Sequence, residues 1–384
     1  QQVRLLDSAG RPALVLPQVL LALSPQATLR LELEQLLIRG AELDVRRSAD
    51  GRLWLAGLPI APGGGDAELA DWLLSQPEWA LQGGTVRWHD EVQDVDLVLT
   101  EVDAVMRNPG NRHDFRLDAT PPTEWGERLS LRGQLRQPLL SRSASRWQDW
   151  SGQLYAQASR IDLAPLQAYA HLAGLGLTQG QGALRAWVDI AKGRISGATA
   201  ALNLAQAQAQ LAPQLAPLAL SRLSGRLSWK NAPSGLDIQT DGLSLDTADG
   251  LHWPGGQLAL QLELDAQGQP TRGQFKADRL DLRALASMAQ RLPLPEPWHA
   301  QLQSLAPQGV VQPFEVSWQG PLNEPRQLSA RGKVQDLALA AEGRRPGASG
   351  LQLDFKLQRE AGVDKAQASV QMRGGWLEFP AQIG

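Results

Sequence analysis

The chain has 384 residues, enough for roughly two to three domains of about 150 residues each. Its 37 Lys and Arg stand against 40 Asp and Glu, giving a net charge of −3 with the signs interleaved, which excludes the one-sided positive surface of a nucleic-acid binder. Cysteine is absent, so disulfide frameworks, thiolate metal sites and cysteine nucleophiles are excluded too, while 13 Trp against 2 Tyr and 5 Phe is an unusual aromatic skew.

In chain order, the densest apolar stretch, Ala13 to Leu23, is cut by Pro17 and Gln18. It is shorter than the roughly 20 residues of a membrane-spanning helix. The chain opens on Gln1 in mid-pattern, which reads as a piece of a longer protein whose anchor or signal lies outside it. Period-two alternation then dominates. Leu29, Leu31 and Leu33 alternate with Arg30, Glu32 and Glu34. A helix is predicted over 67–75, with Asp66 as its N-cap and Pro77 as its stop. Leu97 and Leu99 follow Val95 in strand phase, and Leu129, Leu131 and Leu135 are offset by Ser130, Arg132 and Gln134. A second helix is predicted after Asp162. Leu258, Leu260, Leu262 and Leu264 form the longest leucine alternation, and a third helix is predicted after Asp281, with Leu282, Leu285, Ala286 and Ala289 on one stripe. Leu351, Leu353, Phe355 and Leu357 close the series. Similar runs, each ending at Gly, Pro, Asn or Asp, add up to roughly 16 to 20 strands. Leucine favours helices, yet a helix would scatter these side chains all round, so the periodicity decides for strands.

Two long copies repeat. Gly152-Gln-Leu-Tyr-Ala leads to Arg160-Ile-Asp-Leu, a helix, and a strand at Trp187-Val188; Gly273-Gln-Phe-Lys-Ala leads to Arg279-Leu-Asp-Leu, a helix, and a strand around Val316. The copies lie about 120 to 130 residues apart. The expected division is an N-terminal part of the sheet over 1–140, a middle unit over 141–290 and a second unit over 291–384, in one elongated assembly without clear linkers.

A sheet that is apolar on one face must cover that face. The expected fold class is mainly β: a long, curved, mostly antiparallel sheet forming an open hydrophobic trough, with a few short inserted helices. At about 4.8 Å per strand, 16 to 20 strands give a trough roughly 75 to 95 Å long. Its expected lining is the leucine sets above together with Val188, Leu202, Leu204, Leu243, Leu245, Val316, Leu337 and Leu339. The alternative is that the halves fold onto each other and make a dry core.

Catalytic chemistry finds no foothold. His89, His113, His171, His252 and His299 never stand four apart, and no G-x-S-x-G or G-x-x-x-x-G-K-[ST] motif is present. No cofactor, metal or catalytic residue is expected. Tryptophans such as Trp54, Trp88, Trp187, Trp229, Trp253, Trp318 and Trp376 fall in or beside strands, where they either stack on sugar rings or seal the sheet's edges.

Residues 36–57, Leu-Leu-Ile-Arg-Gly-Ala-Glu-Leu-Asp-Val-Arg-Arg-Ser-Ala-Asp-Gly-Arg-Leu-Trp-Leu-Ala-Gly, resemble the N-terminal signature of AsmA-like proteins. Downstream, Leu69 to Glu78, Gly84 to Trp88, Trp150 to Tyr155, Gly180 to Trp187, Leu223 to Leu227 and Gly250 to Gly256 are similar, in the same order, to the YhdP branch. The resemblance spans about residues 10–340. It implies a periplasmic protein of Gram-negative bacteria, anchored in the inner membrane by an N-terminal helix missing here. It also implies phospholipid transport between the membranes, with acyl chains in the apolar trough and outer-membrane or periplasmic proteins as possible partners. A non-enzymatic envelope scaffold or outer-membrane assembly factor with a closed core is the other reading, and a carbohydrate-binding protein is a third.

Overall fold

A computed structural model describes residues 3–6, 12–22, 35–60, 74–139, 146–165, 177–210, 215, 217–291, 296–321, 324–342, 346–360, 363–372 and 375–378. The chain is mainly β and mostly antiparallel, as the alternation predicts. It forms two compact units, residues 1–173 with 181–200 and residues 174–180 with 201–384. Among the described residues no strand pairing closes either sheet into a barrel.

The first unit begins with short strands, β1 (Val3–Leu6), β2 (Pro12–Leu16), β3 (Gln18–Ala22), β4 (Gln35–Arg39), β5 (Glu42–Arg47), β6 (Leu53–Leu55) and β7 (Leu58–Ile60). Longer ones follow: β8 (Glu78–Asp90), β9 (Val95–Arg107), β10 (Arg112–Thr120), β11 (Leu129–Arg136), β12 (Ser151–Asp162) and most of β13 (Leu177–Ala191). The pairings from β8 through β13 are successive and antiparallel; β8 also takes β4 and β5 as parallel neighbours. Helix 67–75 falls mostly outside the described residues, as does the helix expected after Asp162.

β14 (Arg194–Ala209) is shared between the units, and the second continues with β15 (Leu218–Ala232), β16 (Gly235–Thr247), β17 (His252–Trp253), β18 (Leu258–Leu264), β19 (Pro270–Ala277) and β20 (Leu280–Asp281). After the helices come β21 (Gln308–Gln319), β22 (Gln327–Leu339), β23 (Gly347–Glu360), β24 (Val363–Met372) and β25 (Leu377–Glu378). Helix α1 (Leu282–Met288) starts where the sequence predicts it, with the Asp281 carboxylate accepting from the Ala284 N–H. A 3₁₀ turn over Ala289–Arg291 extends it. A second helix, α2 (Glu296–Leu305), was not expected, because Pro297 reads as a break; a proline in the first helical turn has no N–H to lose and is tolerated there.

Bulges interrupt the long strands at one characteristic place. In β9 the residue at Glu101 is left-handed (φ 47°), and residues 101 and 102 together oppose residue 119 of β10. The extra residue shifts the alternation by one, so Val95, Leu97 and Leu99 before it share a face with Val102, Ala104 and Met106 after it. The same slip occurs in β22 at Asp336 (φ 53°), and in β8 and β16 the left-handed position is Gly83 (φ 60°) and Gly242 (φ 59°), where glycine adopts it without strain. In β14 it falls at Gln206 (φ 51°), between buried Leu202 and Leu204 and buried Ala207 and Ala209.

A glycine also makes room for an aromatic ring. Gly133 of β11 faces Phe115 of β10, whose ring lies over it so closely that a Cβ would collide with the ring. Gly133→Ala is therefore expected to cost about 1–3 kcal/mol through overpacking. Phe115→Leu in the same chain should recover part of that loss. Urea midpoints of the two variants check this, and a neutral Gly133→Ala would contradict it.

Candidate functional site: an apolar face across the strands

Because cross-strand partners share a face, the register converts separate leucine runs into continuous rows. In the first unit, Leu36, Trp79, Met106, Phe115, Gly133, Leu154 and Val188 are successive partners from β4 to β13. The neighbouring row is Ile38, Leu81, Ala104, Leu117, Leu131, Ala156 and Ala186. Leu129 pairs with Ala119 and Ala158, and Leu135 with His113 and Gly152. Leu97 and Leu99 meet Trp88 and Val86.

The second unit repeats the device across eight strands. Trp229, Ile238, Leu260, Phe275, Val316, Ala330, Leu357 and Ala366 form one unbroken row from β15 to β24. Beside it run Leu236, Leu262, Gly273, Trp318 and Leu328, ending in Arg359, whose guanidinium donates to both Asp364 oxygens at 2.6 and 2.8 Å. Leu258 and Phe355 belong to a third row with Ala277, Phe314 and Gly332.

Burial divides this face in two. Around α1 it is a dry core that straddles the β22 bulge: Trp253, Ala277, Leu280, Val311, Val334 and Leu337 pack with Ala284 and Met288 of α1, and Leu245, Leu258, Phe275, Leu339, Leu351, Leu353 and Phe355 lean against them. Arg291 fastens the end of this helical segment by donating to Asp249 at 3.2 Å. Away from α1, Trp229, Ile238, Leu260, Leu262, Val316 and Leu328 are only half-buried, and Leu357 is 42% exposed.

The predicted lining therefore has several locations. Leu29, Leu31 and Leu33 lie outside the described residues. Leu97, Leu99, Leu129, Leu131, Leu135 and Val188 are half-buried on the apolar face of the first unit. Leu202, Leu204 and Leu337 are buried, and Leu243, Leu245 and Leu264 are half-buried. The face also uses residues that plain alternation does not select, Leu236, Ile238, Phe275, Val102 and Val334 among them. The missed signal is the one-residue slip: each apolar run resumes out of phase beyond its bulge.

The opposite face is charged and internally paired. Glu315 accepts from Arg331 and lies 3.5 Å from Lys276; the Arg331 hydrogen bond, against a desolvation penalty, holds its carboxyl below the usual range. Such exposed pairs contribute about 0–1 kcal/mol each. The tryptophans split: Trp253 and Trp318 are buried, whereas Trp187 is 41% exposed on the polar face, 5.4 Å from the Tyr155 ring. His89 pairs with Asp96 rather than with another histidine. Among the described residues no cluster of His, Asp or Glu could hold a metal ion, and no helix is long and apolar enough to cross a membrane.

His113 is a buried titratable group on the apolar face. Asn108 donates to the Gln76 carbonyl at 2.8 Å, which turns its own Oδ1 toward His113; Nδ1 therefore donates at 2.7 Å, and the ring stacks on Trp150 at 4.1 Å. Burial pushes the imidazole below its ordinary 6.5, outweighing Gln137 and Asp114. The unfolded chain thus takes up the proton first. This contribution to stability is present above pH 6.5 and lost as the pH falls through the folded value. His113→Phe is expected to flatten the fall in urea stability as the pH drops below 6.5; an equally steep decline in that variant would contradict the assignment.

Fold and face together define a class: an open, mostly antiparallel β protein whose conspicuous surface is apolar. The family model described as YhdP protein matches residues 1–383, and the chain belongs to that family, a branch of the AsmA-like envelope proteins. No curated protein and no solved structure matches it.

Proposed function

We propose that the chain is a segment of an inner-membrane-anchored periplasmic bridge that carries phospholipids between the inner and outer membranes, without catalysing a reaction. The observation that carries this reading is the row from Trp229 to Ala366, apolar across eight neighbouring strands and mostly half-buried or exposed. Seven spacings of about 4.8 Å make it about 34 Å long, on the scale of a bilayer's hydrocarbon core. An acyl chain laid there gains about 0.8 kcal/mol per buried CH2, and the surface offers no polar group to select one chain over another. Headgroups stay in water at the edge, where Arg359 and Asp364 end the neighbouring row. The closed core beneath α1 is what favours the scaffold alternative, and it covers only the part of the face that α1 packs against.

Extraction of a dansyl-labelled phospholipid from phosphatidylethanolamine–phosphatidylglycerol vesicles tests the proposal. The chain is expected to remove the probe and shift its emission to the blue. Emission unchanged at excess protein would contradict it.

A further inference from the structure

The polar face of the first unit carries an aromatic pair with unpaired arginines on two sides. Arg116, Arg132, Tyr155 and Trp187 are successive cross-strand partners from β10 to β13. By the strand period of two, this row points away from the face bearing Phe115, Leu154 and Val188. The Tyr155 hydroxyl donates to Gln157 at 2.8 Å, and its ring lies 5.4 Å from that of Trp187, which stays 41% exposed. Two positions along each strand, the next row is Asp118, Ser130, Gln157 and Arg185. Arg132 therefore flanks the aromatic pair beside Tyr155, and Arg185 flanks it beside Trp187.

Pairing separates these arginines from their neighbours. Arg112 and Arg116 each lie 2.6 Å from a carboxylate, of Asp114 and Asp118 respectively, and Asp189 accepts from Gln153 at 2.9 Å. Among the described residues the exposed side chains of Arg132, Arg136 and Arg185 make no ion pair and no hydrogen bond to the protein. Across this part of the face five arginines meet three aspartates, so it is locally positive in a chain of net charge −3. Tryptophan, tyrosine and arginine are the residues that dominate binding energy at protein–protein contacts. A uniformly anionic surface, such as a nucleic-acid duplex or an anionic bilayer, would meet Asp114, Asp118 and Asp189 as well as the guanidinium groups. A protein segment can place its carboxylates selectively. β11 and β12 are already paired on both sides, so the segment lies over the face and does not join it as a strand. Two strand spacings separate Arg132 from Trp187 and two residues separate Trp187 from Arg185, which sets the two arginine positions about 12 Å apart with the aromatic pair beside both.

We propose that this patch docks an acidic segment of a partner protein, with two carboxylates on Arg132 and Arg185 and an apolar side chain against Trp187. Fluorescence anisotropy on the whole chain tests it, with a labelled glutamate–tyrosine copolymer as the probe and a lysine–tyrosine copolymer and polyglutamate as comparisons. The glutamate–tyrosine copolymer is expected to bind at least tenfold more tightly than the lysine–tyrosine one and more tightly than polyglutamate, and to weaken as salt rises. The Arg132→Glu/Arg185→Glu double variant should lose at least tenfold in affinity, and Trp187→Ala should weaken binding as well. Arg222→Glu/Lys230→Glu makes the same change of charge on β15 of the second unit, at exposed positions, and should leave binding unchanged. Circular dichroism verifies that each variant is folded. No binding of the glutamate–tyrosine copolymer, an equal loss in the two double variants, binding indifferent to Trp187→Ala, or a preference for phosphatidylglycerol vesicles or duplex DNA that depends on Arg132 and Arg185 overturns the proposal.

Discussion

Leu260→Asp is expected to lower phospholipid loading at least tenfold while the chain remains folded. Leu260 lies mid-row on β18, with Ile238 on one side and Phe275 on the other, in the half-buried part of the face. The change removes roughly 1.5–3 kcal/mol of apolar contact from any acyl chain crossing that point and asks it to desolvate a carboxylate as well. The empty face tolerates the substitution, because water reaches it. Lys276→Gln provides the control: it lies on the adjacent strand but on the charged face, 3.5 Å from Glu315. Labelled-lipid extraction by both variants, with circular dichroism to verify folding, checks the expectation. Equal loading by wild type and Leu260→Asp would mean that lipid does not follow this row.

Trp253→Ala should give a large loss of stability, about 3–5 kcal/mol. Trp253 is 5% exposed and sits in the core that holds α1 against Val311, Val334 and Leu337. Truncation leaves a cavity under Ala284 and Met288 that the seven residues of α1 are too short to fill by bending. The urea midpoint should fall, and hydrogen exchange over 282–291 should accelerate more than in the first unit. Trp187→Ala, at a 41% exposed position, is the matched control and should change stability far less. Similar midpoints for the two variants would show that α1 is not held through Trp253.

Much of this architecture was legible in the residues, for a physical reason. Strands of period two leave their mark wherever one face is apolar, so Leu258 to Leu264 and Leu351 to Leu357 fall on the apolar face as alternation predicts. Helix α1 was legible because Asp281 caps it and its apolar stripe follows at helical spacing. What alternation alone misses is its own interruption. A bulge moves every later side chain to the other phase, so Leu328 to Val334 and Leu337 share a face although their parities differ. The division of the face into a dry core and a half-open row was hidden too, since it depends on where α1 packs, which is tertiary rather than local.

Native mass spectrometry of the purified chain, before and after organic extraction, tests the central claim most directly. The proposed transfer role predicts several copies of phospholipid bound before extraction and a folded, lipid-free chain afterwards. A chain that is folded and lipid-free from the start, and that takes up none on re-exposure to vesicles, would contradict it.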